Sequence, residues 1–307
     1  MPVGGQGRLS MLRALLSSAV LLIAASHACG QSAPPITVHV NGVELHYIEQ
    51  GQGEPVILLH GGIGDYSSWG PQMGPFSAHY RVISYSRRYS YPNVNPIVVP
   101  NDSALVDADD LAALIRKLKL RRVRLVGASA GAFAALALAI KHPELVHSLV
   151  LAEPPLHQWV RDQPGGEAVF QDFLTAIANP AADAFRNADT ERAMRLFVDG
   201  MSGPGSFDKL APERAAIVMR NAPAMKALLL SSDPFPNLSK DRARRLKIPT
   251  LVVTSERAIR IHRLVDEEIA RVLPLAEAVT IPDAGHSSAR DNPAAFNEAV
   301  LKFLQAH

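Results

Sequence analysis

Apolar and polar residues alternate through ITVHVNGVELHYIEQG, residues 36–51, about a central Asn41-Gly42. Period-two alternation around Asn-Gly predicts a β-hairpin with one buried face. Downstream, PVILLHG, YRVISYS, RVRLVGAS, LVHSLVLAE, IPTLVVTS and EAVTIP are short, nearly continuous apolar runs. Such runs predict strands buried on both faces. Helical periodicity lies between them. DSALVDADDLAALIRKLKL places Leu111, Leu114, Ile115 and Leu118 on one face, with Asp102 or Ser103 as its cap. YSSWGPQMGPFSAHY reads as a short helix broken by Pro and Gly, and AGAFAALALAIKHPE as a small-residue helix stopping near Pro143. IRIHRLVDEEIARVLP and NPAAFNEAVLKFLQ follow, the second opened by Asn292-Pro293 as cap and first-turn pair. Strands alternating with helices predict an α/β chain with a parallel sheet covered on both faces.

The rhythm stops between about Pro154 and Lys247. GEAVFQDFLTAIA, TERAMRLFVDGM and APERAAIVMRNAPAMKALLL are helical in pattern and separated by Pro and Gly. The expected organisation is therefore a core from 36–153 and 248–307, with a helical insertion over 154–247. The first 30 residues differ again. Two arginines, an apolar run from Leu12 to Ala25 and then small residues have the layout of a secretory signal peptide. The run is short for a membrane span, which needs about 20 apolar residues. Cleavage after Ala28 or Gly30 is expected, which exports the protein to the periplasm or beyond. The alternative is a lipoprotein signal anchoring the chain through Cys29, although Ser26-His27-Ala28 lacks the usual large aliphatic residue.

Composition adds exclusions. Cys29 is the only cysteine of the 307 residues, so a mature chain has no internal disulfide and no cysteine-based metal site. Residues 1–30 carry Arg8 and Arg13 and no acids. Removing them takes Lys+Arg from 31 to 29, equal to the 29 Asp+Glu. A neutral chain gives no electrostatic reason to expect nucleic acid or a membrane surface as partner. The sequence is silent on oligomeric state.

Three segments carry chemistry. GASAG, residues 127–131, fits G-x-S-x-G between a strand and a helix. That context puts Ser129 on a tight turn where only small neighbours fit, beside backbone N–H groups of a helix start. LLHGGIG, residues 58–64, ends a strand in a glycine-rich loop. Acyl transfer needs two N–H donors for the oxyanion, and Ala130 and Gly62 are the candidates, with Ile63 the next choice. His60 reads as a structural brace of that loop. IPDAGHSS, residues 281–288, puts His286 on a turn-rich loop beyond the last strand, where an imidazole titrating near neutrality can serve as general base.

With serine first, histidine last and helices inserted between, the chain resembles the alpha/beta-hydrolase superfamily over about residues 36–306. The resemblance rests on HGG, GASAG, AGH and the helical insertion. It implies a mostly parallel eight-stranded sheet flanked by helices, with residues 154–247 as a mobile helical cap. Two departures stand out. Relatives often carry D-x-R-G-x-G-x-S after the fourth strand, whereas this chain has SRRYSYPN, with Ser86 for the acid. Arg87 and Arg88 are expected to brace that loop or to face the pocket. Relatives often place the triad acid after the strand that ends in VTSERAIR, but Ala258 fills that slot. The other place the family uses is the end of the strand after the nucleophile helix. There LVLAEPP offers Glu153, with Pro154 and Pro155 delaying the next helix. Glu256, and a Glu153 that only pairs with a cap arginine such as Arg161, are the alternatives.

The resemblance implies a serine hydrolase with the triad Ser129, His286 and Glu153, acting through an acyl-enzyme on a small apolar carboxylic ester without metal or organic cofactor. Serine at the nucleophile position argues against the dehalogenase and epoxide-hydrolase branches. Proline-aminopeptidase-like, haloperoxidase-like and carbon–carbon-bond hydrolase chemistries remain alternatives, as does a catalytically silent ligand-binding member. Trp159, Phe170, Phe173, Phe197 and Met219 are the candidate pocket side chains of the insertion, with core packing as the alternative that helical spacing offers for most of them.

Overall fold

Asn41 and Gly42 both take positive φ, 47° and 73°, as a two-residue turn between right-twisted strands requires. They close β1 (Ile36–Val40) antiparallel onto β2 (Val43–Gln50). The computed structural model describes residues 34–97 and 103–307. The expected export signal, Cys29 and the Asp102 cap lie outside the described residues.

The chain continues through β3 (Pro55–Leu59), α1 (Gly70–Ser77), β4 (Arg81–Tyr85), α2 (Ala104–Lys117), β5 (Val123–Ala128), α3 (Ala130–Lys141) and β6 (Val146–Ala152). Seven helices follow: α4 (His157–Arg161), α5 (Gly166–Phe173), α6 (Asn179–Arg186), α7 (Thr190–Ser202), α8 (Pro212–Arg220), α9 (Ala222–Leu230) and α10 (Lys240–Ala243). Alternation returns with β7 (Thr250–Ser255), α11 (Arg260–Val272), β8 (Ala276–Ile281), α12 (Ser288–Asp291) and α13 (Pro293–Ala306). Caps act where short polar side chains precede a helix: Ser103 accepts from the Leu105 N–H and Asn292 from the Ala295 N–H.

The eight strands form one sheet in the order β1-β2-β4-β3-β5-β6-β7-β8. β2 runs antiparallel to β1 and β4, and every other pair is parallel. Successive strand residues point to opposite faces, so a doubly covered sheet needs two cores. Ile57 and Leu59 of β3 pack with Leu111 and Leu114 of α2, Phe133 of α3 and Val265 and Ile269 of α11. Val56 and Leu58 pack on the other face with Phe76 of α1 and Phe296, Val300 and Phe303 of α13. The parallel strands therefore end along one edge, and the loops after β3, β5, β6, β7 and β8 meet there.

Residues 154–247 contain no strand among the described residues. Phe185, Met194, Val198, Val218, Met225 and Leu228 give these helices an apolar cluster of their own. Several polar ties fix them to the rest of the protein, among them Lys240 to Glu268 (2.9 Å) and a group centred on Asp65. Asp65, fully buried at the start of the turn before α1, accepts from Arg220 Nε (2.7 Å), Arg220 Nη2 (2.9 Å) and Asn221 Nδ2 (2.7 Å). Trp159 takes the core alternative and not the pocket one. It is fully buried in the sheet core, and its indole N–H donates to the Leu238 carbonyl (2.7 Å).

Candidate active site

Ser129 sits between β5 and α3 with φ 51° and ψ −121°, a strained conformation for a residue with a side chain. Its neighbours explain why the turn closes. A Cβ on Gly127 would lie 2.6 Å from Ala132 Cα, and one on Gly131 would lie 2.3 Å from the Leu59 carbonyl oxygen. Both glycines are thus sterically required, the first by α3 turning back on its own strand and the second by the end of β3. The Ser129 N–H donates to the Ala152 carbonyl (2.8 Å), tying the turn to β6. Ala130 opens α3, where backbone N–H groups have no partner within the helix.

The loop after β3 is held by His60. Its Nε2 accepts from the Arg87 N–H (3.0 Å), so Nδ1 carries the proton and donates to the Gly61 carbonyl (2.8 Å). Burial first, and then the Arg87 charge, push His60 down to about 3, which keeps the ring neutral. The Gly61 carbonyl also receives the Gly64 N–H (3.2 Å) and Arg87 Nη2 (3.3 Å). In a trans peptide the following N–H points opposite to the carbonyl. Three donors on Gly61 O therefore fix the direction of the Gly62 N–H. Arg87 and Arg88 act as braces: Arg87 pairs with buried Asp107, and Arg88 makes two hydrogen bonds to Asp110 (2.7 and 2.8 Å).

Glu153 leaves β6 with φ 46° and is buried. Its Oε2 accepts from His286 Nδ1 (2.6 Å) and, less closely, from His262 Nδ1 (3.2 Å), while Oε1 accepts from the Ser255 N–H (2.9 Å). Burial alone would raise this carboxyl, but the hydrogen bonds from His262 and His286 outweigh it and hold it well below the usual carboxylate range. Arg161 is elsewhere, paired with Glu167 (2.6 Å). Glu256 is exposed and accepts the Asp283 N–H (2.7 Å), and Ala258 is buried with no polar side-chain atom. Side-chain donor atoms of Glu153, His262 and His286 lie within 4.8 Å of one another, a spacing a metal could bridge. Both Nδ1 atoms are already committed to one carboxylate oxygen, which makes the trio a hydrogen-bonded network.

Two hollows border Ser129. The larger, about 450 Å³, lies under the helices and is lined by His157, Phe170, Phe173, Phe197, Leu228 and His262, among others. The smaller, about 80 Å³, holds Ser129 and His286 together with Ile63, Trp69, Arg214 and Arg290. Gly62, Ser129 and Phe197 border both. Of the candidate pocket side chains, Phe170, Phe173 and Phe197 reach the cavity. Trp159 belongs to the core, and Met219 packs against the helices' own cluster.

His262, Arg214 and Asp65 are the residues the sequence did not single out. His262 stands four positions after Ala258 on a helix whose periodicity already accounts for it. Arg214 is one arginine among many. For Asp65, the acidic residue just after the glycine-rich loop was an available signal.

A family model described as "Alpha/beta hydrolase family" matches residues 56–299. The chain is 28% identical to the 2-hydroxy-6-oxononadienedioate/2-hydroxy-6-oxononatrienedioate hydrolase of Comamonas testosteroni, over 88% of this chain and 95% of that protein. Among solved structures it resembles a thermophilic esterase from Thermogutta terrifontis, with TM-score 0.70 and 24% identity over 89% of this chain and 99% of the other. It also resembles the carboxylesterase CesB of Bacillus subtilis, with TM-score 0.71 and 20% identity over 89% and 92%. These two likenesses establish the fold.

Proposed function

The chain belongs to the alpha/beta hydrolase family, and within it we propose a serine hydrolase of small, largely apolar carboxylic esters. The observation that carries the reading is Ser129 on its strained turn, in one hollow with a His286 whose Nδ1 is held by Glu153. In this reading His286 takes the Ser129 proton as the hydroxyl attacks the acyl carbon. The tetrahedral oxyanion is held by the N–H groups of Gly62 and Ala130. Glu153 fixes the tautomer that leaves Nε2 free and stabilises the imidazolium. Protonated His286 then releases the alcohol, and water repeats the sequence on the acyl-enzyme. The helices over 154–247 act as the cap that excludes water and shapes the larger hollow, whose phenylalanines suit an apolar substituent. The N-terminal pattern supports export as part of the same proposal.

A fluorophosphonate probe and a panel of p-nitrophenyl esters of increasing chain length test this. Labelling of Ser129 with turnover of short esters is expected. A chain that neither labels nor turns over any ester is a silent member of the fold.

One observation favours a second reading. Arg214 lines the small hollow, and its Nη1 is shut off from solvent with no hydrogen-bond partner among the described residues. Burial first, and then the Arg290 charge, lower this guanidinium to about 10. A substrate carboxylate would satisfy it. Carbon–carbon bond hydrolysis of an oxo-dienoic acid, the substrate class in the name of the Comamonas relative, fits that demand. Bleaching of a 2-hydroxy-6-oxo-dienoate faster than any neutral ester is hydrolysed would favour it over the first.

A further inference from the structure

Glu153 is shared. Its Oε2 faces two imidazoles, and a carboxylate oxygen offers only lone pairs, so His262 and His286 both carry their Nδ1 protons toward it. His262 is buried at 2% exposure in the first turn of α11, and its ring meets the edge of the His286 ring at 4.6 Å between centroids. The groups facing His262 come from several elements. Glu153 ends β6, His286 follows β8, and His157 of α4 lies 5.9 Å away, backed by Phe173 of α5. β7 contributes the Ser255 N–H to the same carboxylate, and Asp266, one turn further along α11, is occupied by the Thr254 hydroxyl (2.8 Å).

We propose that His262 is a positioning residue for the proton-transfer pair: its Nδ1–H divides the Glu153 charge and so sets the pH at which His286 becomes an available base. The proposal rests on the reading of Ser129, His286 and Glu153 as the reacting machinery. The chemistry has a definite sign. A hydrogen bond to a carboxylate withdraws charge from it, and a less charged partner stabilises the imidazolium less. The second donor therefore keeps His286 unprotonated to lower pH than an undivided Glu153 would. For this His262 must remain neutral. Burial first, and the neighbouring His286 after the opposing Glu153 bond, shift its proton affinity down, which serves that end. His157, pushed down to about 3 by burial and then by His262 and His286, adds no charge on the far side. Packing alone would need neither a ring nitrogen aimed at Oε2 nor a neutral neighbour behind it.

The test follows the His286 ring by NMR titration in the resting protein, which needs no substrate. In His262→Phe, which keeps the ring and deletes the donor, the midpoint is expected to move up by about 0.5 in pH or more. His262→Gln, whose amide can donate to the same oxygen, should bring it back toward wild type. Coincident midpoints in wild type and His262→Phe would overturn the proposal. A second measurement covers a Phe variant that fails to fold. The wild-type spectrum should show two low-field Nδ1 protons, from His286 and His262, that both move in Glu153→Gln. A single such proton, from His286 alone, is the opposite result. Fluorophosphonate labelling of the wild type is a separate readout. Its absence would sink the serine-hydrolase reading while the His286 midpoint still reports on His262.

Discussion

Single atoms decide most of what the site can do. Ser129→Ala removes only the hydroxyl, so probe labelling and ester turnover should vanish while the fold persists. Unchanged turnover in a clean preparation would exclude Ser129 as nucleophile. Glu153→Gln keeps the shape and removes the charge between His286 and the Ser255 N–H. A histidine without an anionic partner can adopt the wrong tautomer, which cost about 10⁴-fold in the serine protease case. A loss of that order in kcat at neutral pH is expected. Glu256→Gln should do little, since its carboxylate serves the Asp283 N–H. Near-wild-type kcat in Glu153→Gln would refute the assignment. Gly131→Ala should fail in a different way. Its Cβ meets the carbonyl oxygens of Leu59 at 2.3 Å and His60 at 2.6 Å. Both obstacles are backbone, so the end of β3 must shift. A stability loss of about 1–3 kcal/mol or more by urea denaturation is expected.

At the scale of elements, the sheet and its flanking helices were legible because hydrophobic period is a local signal. Ile57 and Leu59 must face one way and Val56 and Leu58 the other whatever else the chain does. That a carboxylate at the end of β6 could stand beside His286 was legible once Ala258 left the usual slot empty, and Glu153 does stand there; its role as triad acid belongs to the proposal. His262 was not legible, since its partner is 109 positions away and a histidine on a helix carries no periodic mark. The helices over 154–247 were legible as helices, but which faces turn inward depends on how they dock. Trp159 shows the difference. Trp159→Ala should cost about 3–5 kcal/mol of stability, because a fully buried ring leaves a cavity. The preferred ester length should not move. Phe197 borders both hollows, and Phe197→Ala should shift the preference by one or more carbons at a smaller stability cost. The reverse pattern in the ester panel would place the pocket elsewhere.

The whole molecule carries histidines it keeps uncharged, and this gives it a characteristic response to acid. His60 and His157 both lie near 3 in the folded protein, lowered chiefly by burial from the ordinary 6.5. His262 is lowered as well. An unfolded chain accepts the His60 and His157 protons as pH falls through 6.5, while the native state refuses those two until about 3. The unfolded state thus binds more protons across that window, and stability declines as pH falls, at about 1.4 kcal/mol per pH unit for each such group. Glu153 adds to the decline below its ordinary 4.5, because its folded-state value is depressed. Asp107 and Asp266 act in the other direction, since burial raises both. His157 isolates one share of this slope. Its Nε2 is buried without a hydrogen-bond partner among the described residues, and its ring packs against Phe170 and Phe173 at 5.7 and 4.7 Å. His157→Phe should therefore fit the site. Urea denaturation at intervals from pH 7.5 to 4 should give two curves that run parallel above 6.5. Below it the wild type should lose stability faster, by about 1.4 kcal/mol per pH unit. Equal slopes throughout would mean that His157 takes up its proton in the folded state, and that the neutral ring behind His262 is not there.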